Sequence, residues 1–188
     1  MIVGDVQGKG LEAVETAAVV LGAFREAAYD EPDLRSVGAR LERAADRELR
    51  GEKFVTTVLT EIGDYQSVTL LNYGHPAPLF VRSDGTVDFA EPPCIALPLG
   101  LGMSGTSGPE PYDAVFRPGD QLLLYIDGVT EARDRTDRFY PLSERAVLLE
   151  DPDPEAALQT LRADPVEHVE GPLGDDAAML LLRYHDPA

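Results

Sequence analysis

Three acidic turns in this sequence carry residue types that can bind a metal ion. Asp5 lies between an apolar, strand-like segment and a helical pattern, and Asp127 ends a second apolar run. Asp175 and Asp176 precede a third apolar run. Taken singly, each acid is more readily explained as a helix cap or a solvated loop residue. Carboxylates at three separate strand edges favour a shared cation site, provided that the fold brings them together.

Attack of an activated hydroxide on a phosphoryl group is one reaction that such a site can support. Hard divalent cations such as Mg²⁺ and Mn²⁺ prefer oxygen ligands in nearly octahedral geometry. Two such ions about 3.5–4 Å apart can share a carboxylate and a hydroxide, activate that hydroxide and neutralise a phosphoryl group. Competing motifs are weaker, because Lys9 lacks the context of a Walker lysine and the three histidines show no metal-ligand spacing. A calcium-binding structural domain is a distant alternative, since no acidic loop has EF-hand spacing.

The composition limits the classes of partner. The chain carries 34 acidic and 16 basic side chains, which give a formal net charge of -18. We expect such a chain to be repelled by nucleic acid and by anionic membrane surfaces, and to attract divalent cations. The single cysteine, Cys94, excludes an internal disulfide and is consistent with a cytoplasmic location. Cys94 has no basic neighbour, so a packed and inert thiol is predicted.

Two helices are predicted after a first strand over residues 1–6, and they cover residues 9–29 and 33–49. In the first helix, apolar residues recur at three- and four-residue steps, which predicts one buried face. That face consists of Leu11, Val14, Ala18, Leu21, Phe24 and Ala28. The predicted inward-facing residues of the second helix are Leu34, Val37, Leu41, Ala44 and Ala45.

The rest of the chain is typical of strands joined by short turns. Strands are predicted over residues 54–62, 67–73, 78–81, 87–90, 112–116, 121–126 and 177–184. Two short helices are predicted over residues 142–149 and 154–162. Residues 91–111 are predicted to be a loop, either a floppy segment or a flap that contacts substrate, and we favour the flap.

Two early helices followed by many antiparallel strands predict an α+β fold in one domain, residues 1–188. The layers that we expect are two packed antiparallel β-sheets flanked by helices, a four-layer α-β-β-α sandwich. Because the chain begins inside a buried-looking strand, we expect it to be N-terminally truncated. An exposed first strand can pair with the edge of a neighbouring chain, which allows a homodimer.

Five segments of the sequence occur together, and in the same order, in a known family. They are residues 4–10, 72–76, 98–100, 125–132 and 174–176. Each is weak alone, but the ordered set resembles the SpoIIE-like bacterial branch of the metal-dependent Ser/Thr protein phosphatases, the phosphatase 2C-type or PPM family. The resemblance covers nearly the whole chain.

The resemblance implies a site with two Mn²⁺ or Mg²⁺ ions. It implies that Asp5 bridges the ions and that the Val6 carbonyl binds one of them. Asp127 and Asp175 would hold the other ion, and Asp176 is either a further ligand or a residue that orients the turn. A bridging hydroxide would attack the phosphorus of phosphoserine or phosphothreonine in line, without a phosphoenzyme. The implied substrate is a phosphorylated anti-sigma-factor antagonist in bacterial signalling.

Three departures from the family pattern bear on activity. The family has a strand pair with an additional Asp upstream of position 4, and its absence from this sequence gives the alternative function, a catalytically impaired pseudophosphatase that acts as a binding or regulatory module. Ile126 stands where the branch usually has Thr. Gln7 stands where animal members have His, so the leaving oxygen would take its proton from metal-bound water. We expect structural roles for His75 and Glu131.

Overall fold

A computed structural model of the chain describes residues 1–49, 51–102 and 108–185. In chain order the elements are β1 (Ile2–Val6), α1 (Leu11–Asp30), α2 (Leu34–Leu49), β2 (Val55–Gly63), β3 (Ser67–Tyr73), β4 (Leu79–Val81), β5 (Val87–Phe89), β6 (Tyr112–Val115), β7 (Gln121–Tyr125), α3 (Asp127–Thr130), a 3-10 helix (Leu142–Leu149), α4 (Pro154–Val169) and β8 (Met179–Arg183). The elements form two compact units, Met1–His75 with Glu91–Val115, and Pro76–Ala90 with Phe116–Ala188.

The first unit is a four-stranded sheet covered by α1 and α2. The strand order is β1-β2-β3-β6, and all neighbouring strands are antiparallel. The core of this unit joins α2 to the sheet, with Leu41, Leu59 and Leu71 almost completely buried. Four of the five residues predicted to face inward from α2 are buried and Ala44 is half-buried, so the predicted face of this helix is confirmed.

The predicted buried face of α1 is wrong. Leu11, Val14 and Leu21 are 73%, 64% and 49% exposed, whereas the buried residues of the helix are Thr16, Val20 and Ala27. Ala18 and Ala28 are also exposed, and of the predicted set only Phe24 packs against the core. The helix is apolar on more than one side, so two faces satisfy the helical period and the period alone cannot select between them.

The second unit is a four-stranded antiparallel sheet in the order β5-β4-β7-β8. The 3-10 helix and α4 pack against it, and the core includes Leu123, Leu149 and Leu161. Every residue of β7 is buried. The predicted α+β class and the two helix-flanked antiparallel sheets are therefore confirmed.

Three local predictions differ from the structure. The helix predicted to end at residue 162 continues to Val169 and contains Pro165, which is buried. The residue before a proline is disfavoured in the helical region, but Asp164 and Pro165 both stay within this helix. Residues 127–130, predicted as a turn, form the one-turn helix α3. Cys94 is exposed, and the predicted packed thiol is wrong because residues 91–97 do not enter the core.

The loop over residues 91–111 is partly tied to the first sheet. Leu99 is 1% exposed and exchanges two backbone hydrogen bonds of 2.9 Å with Val55. Residues 103–107 lie outside the described residues, so the flap stays a prediction. Among the helices that the structure describes, none has the length and apolar character required to cross a bilayer.

Candidate metal centre

Asp5 lies near the end of β1, half-buried and opposite Thr56 of β2. The neighbouring Gly4 approaches β2 closely, since a Cβ at this position would lie 2.5 Å from the carbonyl oxygen of Thr56. Only glycine is accommodated at such a separation without a shift of the backbone. The close approach of β1 to β2 therefore fixes the backbone at Asp5, and Val6 ends the strand one residue later.

The turn after Asp5 depends on two glycines. The backbone N–H of Gln7 donates to the carbonyl of Phe54 at 3.0 Å. Gly8 and Gly10 then adopt φ angles of 101° and 82°, in the region that side chains with a Cβ rarely enter. Helix α1 begins directly afterwards, which confirms the strand–turn–helix arrangement predicted around Asp5.

A network of hydrogen bonds holds the end of β3 beside the same part of β2. The side chain of Asn72 accepts from the backbone N–H of His75 at 2.7 Å and donates to its carbonyl at 2.8 Å. The His75 ring lies with Nδ1 3.0 Å from Oγ1 of Thr56, the residue opposite Asp5. His75 is buried. Its ring therefore links the turn after β3 to β2 through a threonine side chain.

Residues 98–100 reach the same strand ends. A Cβ at Gly74 would lie 2.9 Å from Cγ of Pro98, and Gly100 adopts a φ of 90°. Leu99 pairs with Val55 at the point where β3 has turned away. Three of the five segments that carry the resemblance therefore meet at one end of β2.

In the second unit, Asp127 occupies the first position of α3, directly after β7. It is half-buried, and its carbonyl accepts from the N–H of Glu131 at 2.8 Å, which closes the single helical turn. Ile126 is the N-cap residue of α3 and is 6% exposed. Its side chain makes no capping hydrogen bond, whereas a threonine at this position has the hydroxyl to do so.

The acidic turn at residues 175–176 packs directly against α3. A Cβ at Gly128 would overlap the carbonyl oxygen of Asp176, so the two backbones touch at a site that only glycine fits. The N–H of Ile126 also donates to the carbonyl of Ala178 at 3.2 Å. Two of the three acidic turns are therefore brought together, with Asp127 half-buried and Asp175 and Asp176 exposed.

The oxygen donors present suit a hard cation, and the absence of a Cβ at Gly128 allows the backbones of two acidic turns to meet. Within residues 1–49, 51–102 and 108–185, however, no three acidic, histidine or cysteine side chains form a group arranged to hold a metal ion. Asp5 and Val6 belong to the first unit, and Asp127, Asp175 and Asp176 belong to the second. Their role as ligands of two Mn²⁺ or Mg²⁺ ions stays a prediction.

Sequence reasoning missed a cavity of about 520 Å³ that adjoins Asp175 and Asp176. One wall is the second half of α4, which includes Arg162, Pro165 and Val166. That wall was not predicted, because the helix was expected to end at residue 162. Ala157, Leu161 and Pro165 are spaced four residues apart and are buried, and this apolar spacing is the signal that could have indicated a longer helix.

Comparisons with known proteins identify the family. The family model of stage II sporulation protein E (SpoIIE) matches residues 1–185. The RsbU and RsbW domains of Rv1364c from Mycobacterium tuberculosis match with a TM-score of 0.79 and 25% identity, over 100% of this chain and 53% of that chain. A comparison with curated proteins gave no match.

Two more distant structures support the fold alone. The PP2C phosphatase domain with a regulatory fragment of SpoIIE from Bacillus subtilis matches with a TM-score of 0.76 and 17% identity, over 97% of this chain and 53% of that chain. The catalytic domain of the serine threonine protein phosphatase PstP was solved with 2 manganese ions. It matches with a TM-score of 0.65 and 15% identity, over 96% of this chain and 84% of that chain. The chain spans about half the length of the Rv1364c and SpoIIE chains. It belongs to the stage II sporulation protein E family and has the PP2C phosphatase fold.

Proposed function

We propose that this chain is a metal-dependent phosphatase that hydrolyses phosphoserine or phosphothreonine on a protein, of the anti-sigma-factor antagonist type. The observation that carries the proposal is the contact of Gly128 with the Asp176 carbonyl, which joins two acidic turns in a chain of the SpoIIE family. The five ordered segments and the PP2C fold support the same reaction class.

Asp127, Asp175 and Asp176 would hold one ion, and Asp5 with the Val6 carbonyl would complete a two-ion site. Manganese and magnesium are the candidates, and PstP was solved with 2 manganese ions. When bound, two such ions supply a nucleophile at neutral pH and positive charge beside the phosphoryl group.

The main role of the chain's own residues is to hold the predicted metal ligands in place, and not to transfer protons. Gly4 and the pairing of β1 with β2 fix the backbone at Asp5, and α3 fixes the backbone at Asp127. Gln7 follows Asp5 by two residues, and its amide has no acidic proton for the leaving oxygen. The leaving serine oxygen therefore needs its proton from water.

The test is phosphate release from a phosphoserine protein with and without Mn²⁺. We expect chelation to abolish release, and Asp127→Asn to lower the rate by more than about 100-fold, since loss of even an outer-shell partner can reach that range. Asp137→Asn is the matched control. It removes an exposed carboxylate of the same unit at a φ of 64°, which asparagine tolerates.

The outcomes separate the proposal from a regulatory module. Release that persists without metal, or at an equal rate in Asp127→Asn, would contradict the proposal. Substrate binding with no metal uptake in calorimetry and no turnover would replace it with the pseudophosphatase.

A further inference from the structure

The cavity beside Asp175 and Asp176 has a volume of about 520 Å³, within the range of ligand-binding pockets. We call it the α4 groove and define it by the lining residues Leu158, Arg162, Pro165, Val166, Leu173 and Met179. Leu158, Arg162 and Val166 are spaced four residues apart along α4, so they share one face of the helix. Val166 is 44% exposed, which leaves apolar surface open to a partner.

Arg162 is the basic side chain in the lining of this groove, and the carboxylates of Asp175 and Asp176 lie at the edge that adjoins the candidate metal site. Four other arginines of the second unit pair with carboxylates, namely Arg82, Arg133, Arg135 and Arg145. Arg162 is exposed and forms no ion pair with the part of the chain that the structure describes. In a chain with a formal net charge of -18, a cation beside the candidate site is therefore available to an anionic partner.

We propose that the α4 groove binds the segment of the protein substrate that flanks the phosphorylated residue, with an apolar side chain in the groove and an acidic side chain on Arg162. This inference rests on the proposed phosphatase function. The groove adjoins Asp175 and Asp176, two of the predicted metal ligands. A protein substrate whose phosphate lies at the metal site would therefore have residues close to its phosphoserine in the groove.

Charge and burial both favour this occupant. A phosphorylated segment is repelled by the acidic chain as a whole, and an opposite charge at the docking site offsets part of that repulsion. An apolar side chain that covers Val166 and Leu158 removes their surface from water, which favours binding. The groove thus selects among phosphoproteins by the residues beside the phosphate, while a small phosphate ester does not extend into it.

The experiment compares phosphoserine peptides that carry a leucine and a glutamate at varied positions within four residues of the phosphoserine, with p-nitrophenyl phosphate as the small ester. We expect the best peptide to exceed an alanine-flanked peptide in kcat/KM, mainly through KM. In Arg162→Ala the preference for glutamate should fall about fivefold, the upper end for an exposed ion pair. In Val166→Ser the preference for leucine should fall by a similar factor. Arg117→Ala removes an exposed arginine before β7, and should keep both preferences.

An equal preference for glutamate in Arg162→Ala and in the unchanged chain would overturn the inference. If both proteins still hydrolyse p-nitrophenyl phosphate, the proposed phosphatase function stands. If the unchanged chain hydrolyses neither the phosphopeptides nor the small ester when metal is present, the proposed function itself is contradicted. Fluorescence anisotropy of the labelled peptides then tests the groove without turnover. Weaker binding to Arg162→Ala supports the inference, and equal binding overturns it. A dimer that dissociates in Val166→Ser would assign the groove to a second copy and also overturn it.

Discussion

Gly128 is the position at which one added carbon atom should matter most. Its Cβ would overlap the Asp176 carbonyl oxygen. We expect Gly128→Ala to push α3 and the 175–176 turn apart, to lower metal-dependent phosphate release by at least about tenfold, and to reduce the free energy of unfolding by about 1–3 kcal/mol. Gly22→Ala is the control, because its Cβ meets nothing within 4 Å and alanine favours helix by about 1 kcal/mol. Unchanged phosphate release in Gly128→Ala would show that the contact is not needed.

Asp120 is a buried carboxylate whose role is structural. It accepts hydrogen bonds from the backbone N–H groups of Ser83 and Arg117 at 3.0 Å each and from the Arg82 guanidinium at 3.1 Å. Burial alone would raise the pKa of Asp120, but these donors outweigh it and the pKa lies below its ordinary value of 3.8. The ionised form is therefore favoured by folding.

A pH dependence of stability follows from that pKa. Because the pKa of Asp120 is lower in the folded chain, its contribution is fully present above 3.8 and is lost as pH falls through the folded value. We expect Asp120→Asn to reduce the free energy of unfolding by about 2–3 kcal/mol near pH 7. Urea denaturation should show that this difference narrows in acid. A difference that is constant with pH would contradict the assigned charge state.

At the scale of elements, α1 offers a matched pair of substitutions. Val20 is 7% exposed and Val14 is 64% exposed, on the same helix. We expect Val20→Ala to lower the free energy of unfolding by about 2 kcal/mol, through lost burial and a cavity. Val14→Ala should change it by less than about 0.5 kcal/mol, as for most surface substitutions. Equal losses of unfolding free energy for Val20→Ala and Val14→Ala in urea denaturation would contradict the buried face seen in the structure.

The strands were predictable because glycine, proline and aspartate mark their ends. The strand over residues 67–73 matches the prediction at both ends, and the turn after Asp5 forms as the glycines indicated. The buried side of α1 was not predictable, since its apolar residues occupy two faces and the choice depends on packing against α2 and the sheet. The length of α4 was missed at Pro165, where burial overrides the local preference of proline.

At the scale of the whole molecule, the candidate site could be predicted as a set of residues but not as a geometry. Four of the five segments each lie within one unit, and the segment 72–76 lies in the first unit except for Pro76. Residues 4–10, 72–75 and 98–100 meet in the first unit, and residues 125–132 and 174–176 meet in the second. The spacing of the segments along the chain does not predict which of them come into contact. Those contacts depend on close backbone approaches at Gly4, Gly74 and Gly128. Glycines at those positions were visible in the sequence, but the partner of each one was not.

The net charge of -18 is a property of the whole molecule that should set the salt dependence of catalysis. Raising ionic strength from about 10 to about 150 mM shortens the Debye length from about 30 to about 8 Å, which screens long-range repulsion between the chain and an acidic phosphopeptide. At saturating Mn²⁺ we expect kcat/KM for such a peptide to rise across this range, and to rise further in Arg162→Ala, which lacks the local attraction. A neutral-flanked phosphopeptide is the control and should respond less. A fall in kcat/KM for the acidic peptide would mean that local cations, and not the net charge, govern its approach.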